Sequence, residues 1–203
     1  MAIHGLPGIG KTQLALHYAK KHKDLYPYVL FASTDTMDDF YTLVCAELGL
    51  TANSDEQCRA VAKRWLRNGN GERSAACLVI IDGASEWNLP FLEGFPRDIR
   101  DGRIVFTTSH RHMVERLDVD GRWFEVTCLE NDGAIDLFSE LLGKPVTGSE
   151  LEAAGRVLAS LNNHTLAITH VAQYMGTAHL GFSELAGFFC SSGGSMLRVC
   201  LFR

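Results

Sequence analysis

The sequence predicts an α/β fold of three layers, a parallel sheet between helices, followed by a partial all-helical subdomain. Short apolar segments alternate with amphipathic helical segments over residues 1–143. One of them, at 76–81, reads ACLVII and has no polar residue to face solvent. Strands buried on both faces give such continuous apolar runs. Beyond a linker at 144–149, two helical patterns follow each other without a strand, which predicts the helical subdomain at 150–190 and an irregular tail at 191–203.

Five segments predict strands because they are short, apolar and rich in β-branched or aromatic residues. They lie at 2–5, 28–32, 76–81, 103–108 and 123–126. The first has only four residues, whereas a central strand usually has about five or six. The chain is therefore expected to begin inside its own first strand.

Six segments place apolar residues at helical spacing, which predicts amphipathic helices packed on a core. They lie at 12–23, 37–48, 54–67, 131–142, 150–161 and 165–175. Ser54 with Gln57 three residues later has the pattern of a capping box at a helix start. A polar, glycine-rich loop is predicted at 68–74.

The overall charge and the cysteines exclude several classes of protein. The chain has 19 basic and 24 acidic residues and a net charge of −5, so we expect neither a nucleic-acid partner nor a membrane surface, since both require a cationic face. The longest apolar run, at 75–81, is far too short to cross a bilayer. The six cysteines form no C-x-x-C pair, which argues against a zinc site or a disulfide framework and predicts a cytoplasmic protein. Glycines and Lys11 interrupt the first residues, so no signal peptide is expected.

The sharpest motif is GLPGIGKT at 5–12, which matches the phosphate-binding pattern G-x-x-x-x-G-K-[ST]. Its glycines allow several backbone N–H groups to point at one phosphate, and the following helix presents its positive end to the same anion. Lys11 is predicted to reach the outer phosphates, and the Thr12 hydroxyl to bind Mg²⁺. The predicted nucleotide-binding residues of this loop are Gly5, Pro7, Gly8, Ile9, Gly10, Lys11, Thr12 and Gln13.

An acidic residue at the end of an apolar strand is needed to hold the metal ion, and Asp82 has that position. Lys11 and Asp82 are the predicted catalytic residues, and Thr12 and Asp82 the predicted metal ligands. The residue after Asp82 is Gly83 rather than a second acid, and the next acid is Glu86. We therefore expect slow hydrolysis or none. Thr108, at the end of the next strand, either reads the γ-phosphate or only fills the strand.

These motifs, in this order, resemble the NB-ARC family of STAND nucleotide switches, the central domains of NOD-like and plant-type immune receptors that also occur in fungal proteins. The resemblance covers nearly the whole chain. It rests on GLPGIGKTQLA, LVIIDGASEW, GRIVFTTSHR, DGAIDLFSELLG and LNNHTLA. Two departures stand out: Thr165 occupies the place of the family's proline near the adenine, and Ser109 and His110 separate the threonine pair from Arg111, the candidate for the family's sensor arginine.

The resemblance implies an ADP/ATP-binding module with Mg²⁺, in which nucleotide exchange controls self-association or pairing with full-length partners in signalling and innate immunity. It also implies that the strand at 103–108 lies between those at 2–5 and 76–81, and that the chain is truncated at both ends relative to the family. Two alternatives stay open. One is a non-catalytic relative that acts only as a protein-interaction fragment. The other is a P-loop phosphotransferase or AAA-like ATPase, which would need a substrate lid or an arginine finger.

Overall fold

Five parallel strands form one sheet in the computed structural model, which describes residues 1–68, 76–117 and 119–191. The strands are β1 (Ala2–Gly5), β2 (Tyr28–Ala32), β3 (Cys77–Ile81), β4 (Arg103–Thr108) and β5 (Trp123–Val126). Their order across the sheet is β2-β3-β4-β1-β5. The α/β prediction is therefore confirmed, and β4 lies between β1 and β3 as the resemblance implies. The predicted glycine-rich loop and irregular tail lie, apart from their first residues, outside the described ranges.

Nine α-helices are present in the described ranges, together with two short 3-10 helices at Thr34–Thr36 and Glu86–Asn88. The α-helices are α1 (Lys11–Lys21), α2 (Phe40–Glu47), α3 (Asp55–Asn68), α4 (Leu89–Gly94), α5 (Arg111–Arg116), α6 (Asn131–Leu142), α7 (Ser149–Ser160), α8 (Thr165–Ala178) and α9 (Phe182–Ser191). None of the helices described by the structure is long and apolar enough to cross a membrane.

The chain divides into two compact units. The first comprises Met1–Pro7 and Lys11–Val126, and the second comprises Gly8–Gly10 and the chain from Thr127 onward. The sequence places the boundary after residue 143, whereas the second unit includes α6. The physical reason is that Ala134 and Phe138 of α6 are fully buried among the side chains of α7, α8 and α9.

Strand β3 is the centre of the first unit and explains its two cores. Leu78 and Ile80 pack with Ala15 and Ala19 of α1 on one face of the sheet. Val79 and Ile81 face the other side, in a larger core formed with side chains of α2 to α5. All five β3 side chains are buried, because a central parallel strand is covered on both faces.

The pairing register brings the carboxyl ends of the central strands to one edge of the sheet. Ile81 of β3 lies beside Phe106 of β4, and His4 of β1 lies beside Thr108. Residues that directly follow β1, β3 and β4 therefore share this edge, where parallel α/β sheets bind their ligands.

Candidate phosphate-binding site

The loop between β1 and α1 has a backbone that favours glycine at two points. Gly8 has a φ of 73° and Gly10 a φ of 102°, values that side chains other than glycine rarely adopt. A Cβ atom on Gly8 would also lie 2.7 Å from Leu166 Cδ2. Both the conformation and the available space therefore require glycine at position 8, as the motif predicts.

Lys11 is the first residue of α1, and its ammonium group has three acceptors. Nζ donates to the Gly5 carbonyl at 2.9 Å, to the Leu6 carbonyl at 2.9 Å and to Ser109 Oγ at 3.0 Å. The side chain is buried. Burial lowers the pKa of Lys11, while the nearby negative charge of Asp82 opposes that shift. The lysine is thus held at the loop, beside an acidic group, with a charge that solvent stabilises only in part.

Asp82 follows β3 and is held by two hydroxyl groups. Thr12 Oγ1 and Thr107 Oγ1 each donate to Asp82 Oδ1 at 2.6 Å. The Thr107 oxygen in turn accepts the Gly83 N–H at 3.0 Å. Such short bonds are typical of hydroxyls on an ionised carboxylate, and they fix the rotamer of Asp82.

Thr12 and Asp82 fit a magnesium ion chemically. Both present hard oxygen atoms, and they lie in direct contact at 2.6 Å. A hydroxyl that donates to a carboxylate still has lone pairs for a metal, and Mg²⁺ binds few protein oxygens and keeps several waters. Within the described part of the chain, no group of three or more His, Cys, Asp or Glu residues could hold a metal.

Thr107 is a site residue that the sequence does not identify. The sequence favours the second threonine of the pair, Thr108, which the structure buries completely. Thr108 Oγ1 donates to the Ala84 carbonyl at 2.6 Å and accepts the His110 N–H at 3.1 Å. Adjacent strand residues point to opposite faces, so only one of the two can reach Asp82. The register decides which one, and no signal in a single sequence gives the register.

Arg111 begins α5 and lies on an aromatic ring. Its guanidinium carbon is 3.8 Å from the centre of the Trp123 ring, and Nη1 is 3.4 Å from His4 Nε2. This stacking is a cation–π contact. The structure thus brings Lys11, Thr12 and Asp82 together, and places Arg111 against β1 and β5.

Glu86, the next acid after Asp82, is engaged elsewhere. Arg116 Nη1 lies 3.1 Å from its Oε2, and His112 Nε2 lies 3.2 Å from its Oε1.

In the second unit, the segment at 164–166 contacts Gly8. Thr165 Oγ1 donates to the Gly8 carbonyl at 3.0 Å. This hydroxyl stands where the resemblance leads one to expect proline, which has no side-chain donor. The other predicted loop residues differ in exposure: Ile9 is buried, whereas Pro7 and Gln13 are exposed.

Comparisons with known proteins find relatives of this chain. A family model described as an AAA domain matches residues 1–117. A "Probable disease resistance protein" of Arabidopsis thaliana is 30% identical over 152 residues, which cover 71% of this chain and 21% of that protein. A nucleotide-binding leucine-rich repeat (NLR)-like protein of Hyaloscypha variabilis is 22% identical over 213 residues, covering 95% of this chain and 21% of the relative. The chain spans about a fifth of the length of both relatives.

A solved structure shares the fold. It is a Signal Transduction ATPase with Numerous Domains (STAND) protein with a tetratricopeptide repeat sensor from Pyrococcus horikoshii. The TM-score is 0.53 at 18% identity, and the match covers 84% of this chain and 27% of that one.

Proposed function

Because the chain belongs to the AAA domain family and is a P-loop nucleotide-binding module of the NB-ARC type, we propose that it binds ADP and ATP as the module of a STAND-type signalling switch. The observation that carries the proposal is the cluster of Lys11, Thr12, Asp82 and Thr107, in which the lysine and both threonine side chains donate to defined acceptors. A site that already holds its charged groups in position loses little entropy when a ligand binds.

Each residue has a role in this proposal. The Lys11 ammonium exchanges its contact with Ser109 for the outer phosphate oxygens, and the N–H groups of the loop with the start of α1 hold the inner phosphates. Thr12 and Asp82 would hold Mg²⁺, which neutralises phosphate charge when it is bound. Thr107 keeps Asp82 in its rotamer.

We expect the triphosphate to be hydrolysed slowly or not at all. Gly83 follows Asp82 directly, and the Glu86 carboxylate pairs with Arg116 and His112. A base that activates water must lie within hydrogen-bond distance of it, and Glu86 is occupied by its partners. Slow hydrolysis suits a switch, because each nucleotide state then persists long enough to be read.

Switching requires that ADP and ATP stabilise two arrangements of the protein to different extents. The NLR-like and disease resistance relatives are each about five times longer than their segment that matches this chain. Nucleotide exchange, self-association and a place in cytoplasmic immune signalling are therefore proposals about a larger system. Full-length relatives or a second copy of the chain are the proposed partners.

The test is to purify the chain gently, denature it and identify the released nucleotide by chromatography, with Lys11→Ala alongside. Lys20→Ala is the matched control, because Lys20 is exposed on the same helix. We expect stoichiometric ADP or ATP from the wild type and from Lys20→Ala, and none from Lys11→Ala. An empty wild type that also fails to bind added ADP would contradict the proposal and favour an interaction fragment. Phosphate transfer to small acceptors would favour a phosphotransferase.

A further inference from the structure

A small cavity lies on the first unit where α2, α3 and α4 meet, outside the phosphate-binding cluster. Its volume is about 190 Å³, and its lining includes Tyr41 of α2, Arg59 and Lys63 of α3, and Pro90 and Phe91 of α4. An apolar cavity of about 150 Å³ holds a molecule the size of benzene. This one therefore has room for a single ring with one small substituent.

The charged side of the cavity is a row of cations on one face of α3. Arg59 and Lys63 are four residues apart, and Arg67 continues the row. Like charges at this spacing repel each other on a helix. Arg67 pairs with Asp98 at 3.1 Å, whereas none of the ion pairs between described residues includes Arg59 or Lys63. An anion beside these two side chains would relieve the repulsion.

The surroundings of Lys63 support this interpretation. Burial lowers the pKa of Lys63, and repulsion from Arg59 and then Arg67 lowers it further. Lys63 Nζ and the Arg59 guanidinium carbon lie 5.4 Å and 5.8 Å from the centre of the Tyr41 ring. Both cations therefore face the ring that forms one wall of the cavity.

Tyr41 contributes its aromatic ring to the cavity wall. Its side chain is 4% exposed, and its hydroxyl has no hydrogen-bond partner among the described residues. Burial raises the pKa of Tyr41 to about 12, so the phenol stays neutral and adds no charge to the cavity. The hydroxyl oxygen is inaccessible to solvent, so a ligand in the cavity contacts the ring of Tyr41 and not its hydroxyl.

We propose that this cavity binds a small aromatic monocarboxylate, with the carboxylate at Lys63 and Arg59 and the ring against Phe91 and Pro90. Asp38 also lines the cavity, so two cations face one carboxylate and the excess is a single positive charge. That excess matches a monoanion better than a phosphate dianion. The apolar wall, which Met37 extends, requires an organic body on the ligand rather than a bare ion.

The test uses three probes on the full chain, measured by calorimetry and ligand-observed NMR. Benzoate carries both the ring and the charge, benzyl alcohol carries the ring alone, and inorganic phosphate carries charge alone. We expect benzoate to bind saturably at low millimolar concentration or below, and the other two probes to bind at least about tenfold more weakly, since a hydrogen bond to a charged group contributes about a factor of ten or more. Equal binding of phosphate and benzoate would overturn the proposal, as would the absence of saturable benzoate binding.

Two variants locate the site. Lys63→Met keeps the apolar stem and removes the charge, and Tyr41→Phe removes only a hydroxyl that bonds to no described residue. We expect Lys63→Met to weaken benzoate binding by about tenfold, with an unchanged circular dichroism spectrum. Tyr41→Phe keeps the ring and removes a hydroxyl that solvent does not reach, so it should bind benzoate as the wild type does. Lys20→Met and Tyr174→Phe, both at exposed positions, are the matched controls and should bind benzoate as the wild type does. Unchanged affinity in Lys63→Met would refute the assignment of this cavity.

Discussion

Replacing Thr107 by valine tests the geometry around Asp82 most directly. Valine has nearly the shape of threonine but no hydroxyl, so the variant loses the 2.6 Å bond to Asp82 Oδ1 and leaves the Gly83 N–H without its acceptor at 3.0 Å. A hydrogen bond to a charged group contributes about 1.5–3 kcal/mol. Because the Asp82 carboxylate is only partly buried, we expect the free energy of unfolding to fall by about 2 kcal/mol.

The neighbouring residue provides the matched control. Thr108→Val removes the 2.6 Å bond to the Ala84 carbonyl, which is neutral but buried, so its loss also costs about 2 kcal/mol. For a chain of this size, either variant should melt about 4–8 °C lower than the wild type. The two substitutions therefore match in shape and in stability cost, and they differ in whether they touch Asp82.

The two variants should differ in nucleotide binding. Groups that orient a metal ligand typically contribute 10–100-fold to metal affinity, so Thr107→Val should weaken the Mg²⁺-dependent part of ATP binding by about that factor. Thr108→Val should change it by less than about twofold, because the Thr108 hydroxyl bonds to the Ala84 carbonyl and not to Asp82. The measurement is fluorescence titration with a labelled ATP analogue, with Mg²⁺ and with EDTA. If Thr108→Val weakens Mg²⁺-dependent binding and Thr107→Val does not, the assignment of Thr107 is refuted.

Three further changes have defined outcomes. Ser109→Ala removes one acceptor of the Lys11 ammonium, so nucleotide affinity should rise by up to about fivefold in a direct titration. A large loss of affinity would contradict the view that Ser109 competes with the phosphate for Lys11. Phe138→Ala opens a cavity at a fully buried position of α6, so the free energy of unfolding measured in urea should fall by about 3–5 kcal/mol. A fall of less than about 1 kcal/mol would mean that the helical core is loosely packed. Burial lowers the pKa of Lys11, so between that lowered pKa and 10.5 the unfolded chain binds more protons than the folded one. As the pH rises through that window, the free energy of unfolding of the wild type should increase relative to that of Lys11→Met. A difference between the two that is independent of pH would show that the lysine is well solvated.

The sequence predicts the sheet well for a physical reason. β3 is buried on both faces, so it has to be apolar along its whole length, and that run is visible in the sequence. The phosphate-binding loop is equally visible, because both Gly8 and Gly10 adopt a positive φ and glycine is needed there. Features that depend on one residue's own conformation are thus encoded locally.

The structure adds features that depend on distant partners. Helices α4 and α5 have six residues each, too few to show a helical period in the sequence. The choice between Thr107 and Thr108 depends on the register of β4, and the contact of Ser109 with Lys11 joins residues 98 apart in sequence. No window of a single sequence contains that information.

The position of β1 in the sheet also determines when this protein can fold during synthesis. β1 is synthesised before both of its neighbours, β4 and β5, and the Met1 nitrogen donates to the Ile104 carbonyl, 103 residues away. At about 5–20 residues per second, a ribosome takes about 5–20 s to supply those partners. During that interval the apolar β1 segment has neither neighbour, and exposed strand edges of this kind favour aggregation. The phosphate-binding loop that follows β1 can therefore form only after most of the first unit has left the ribosome.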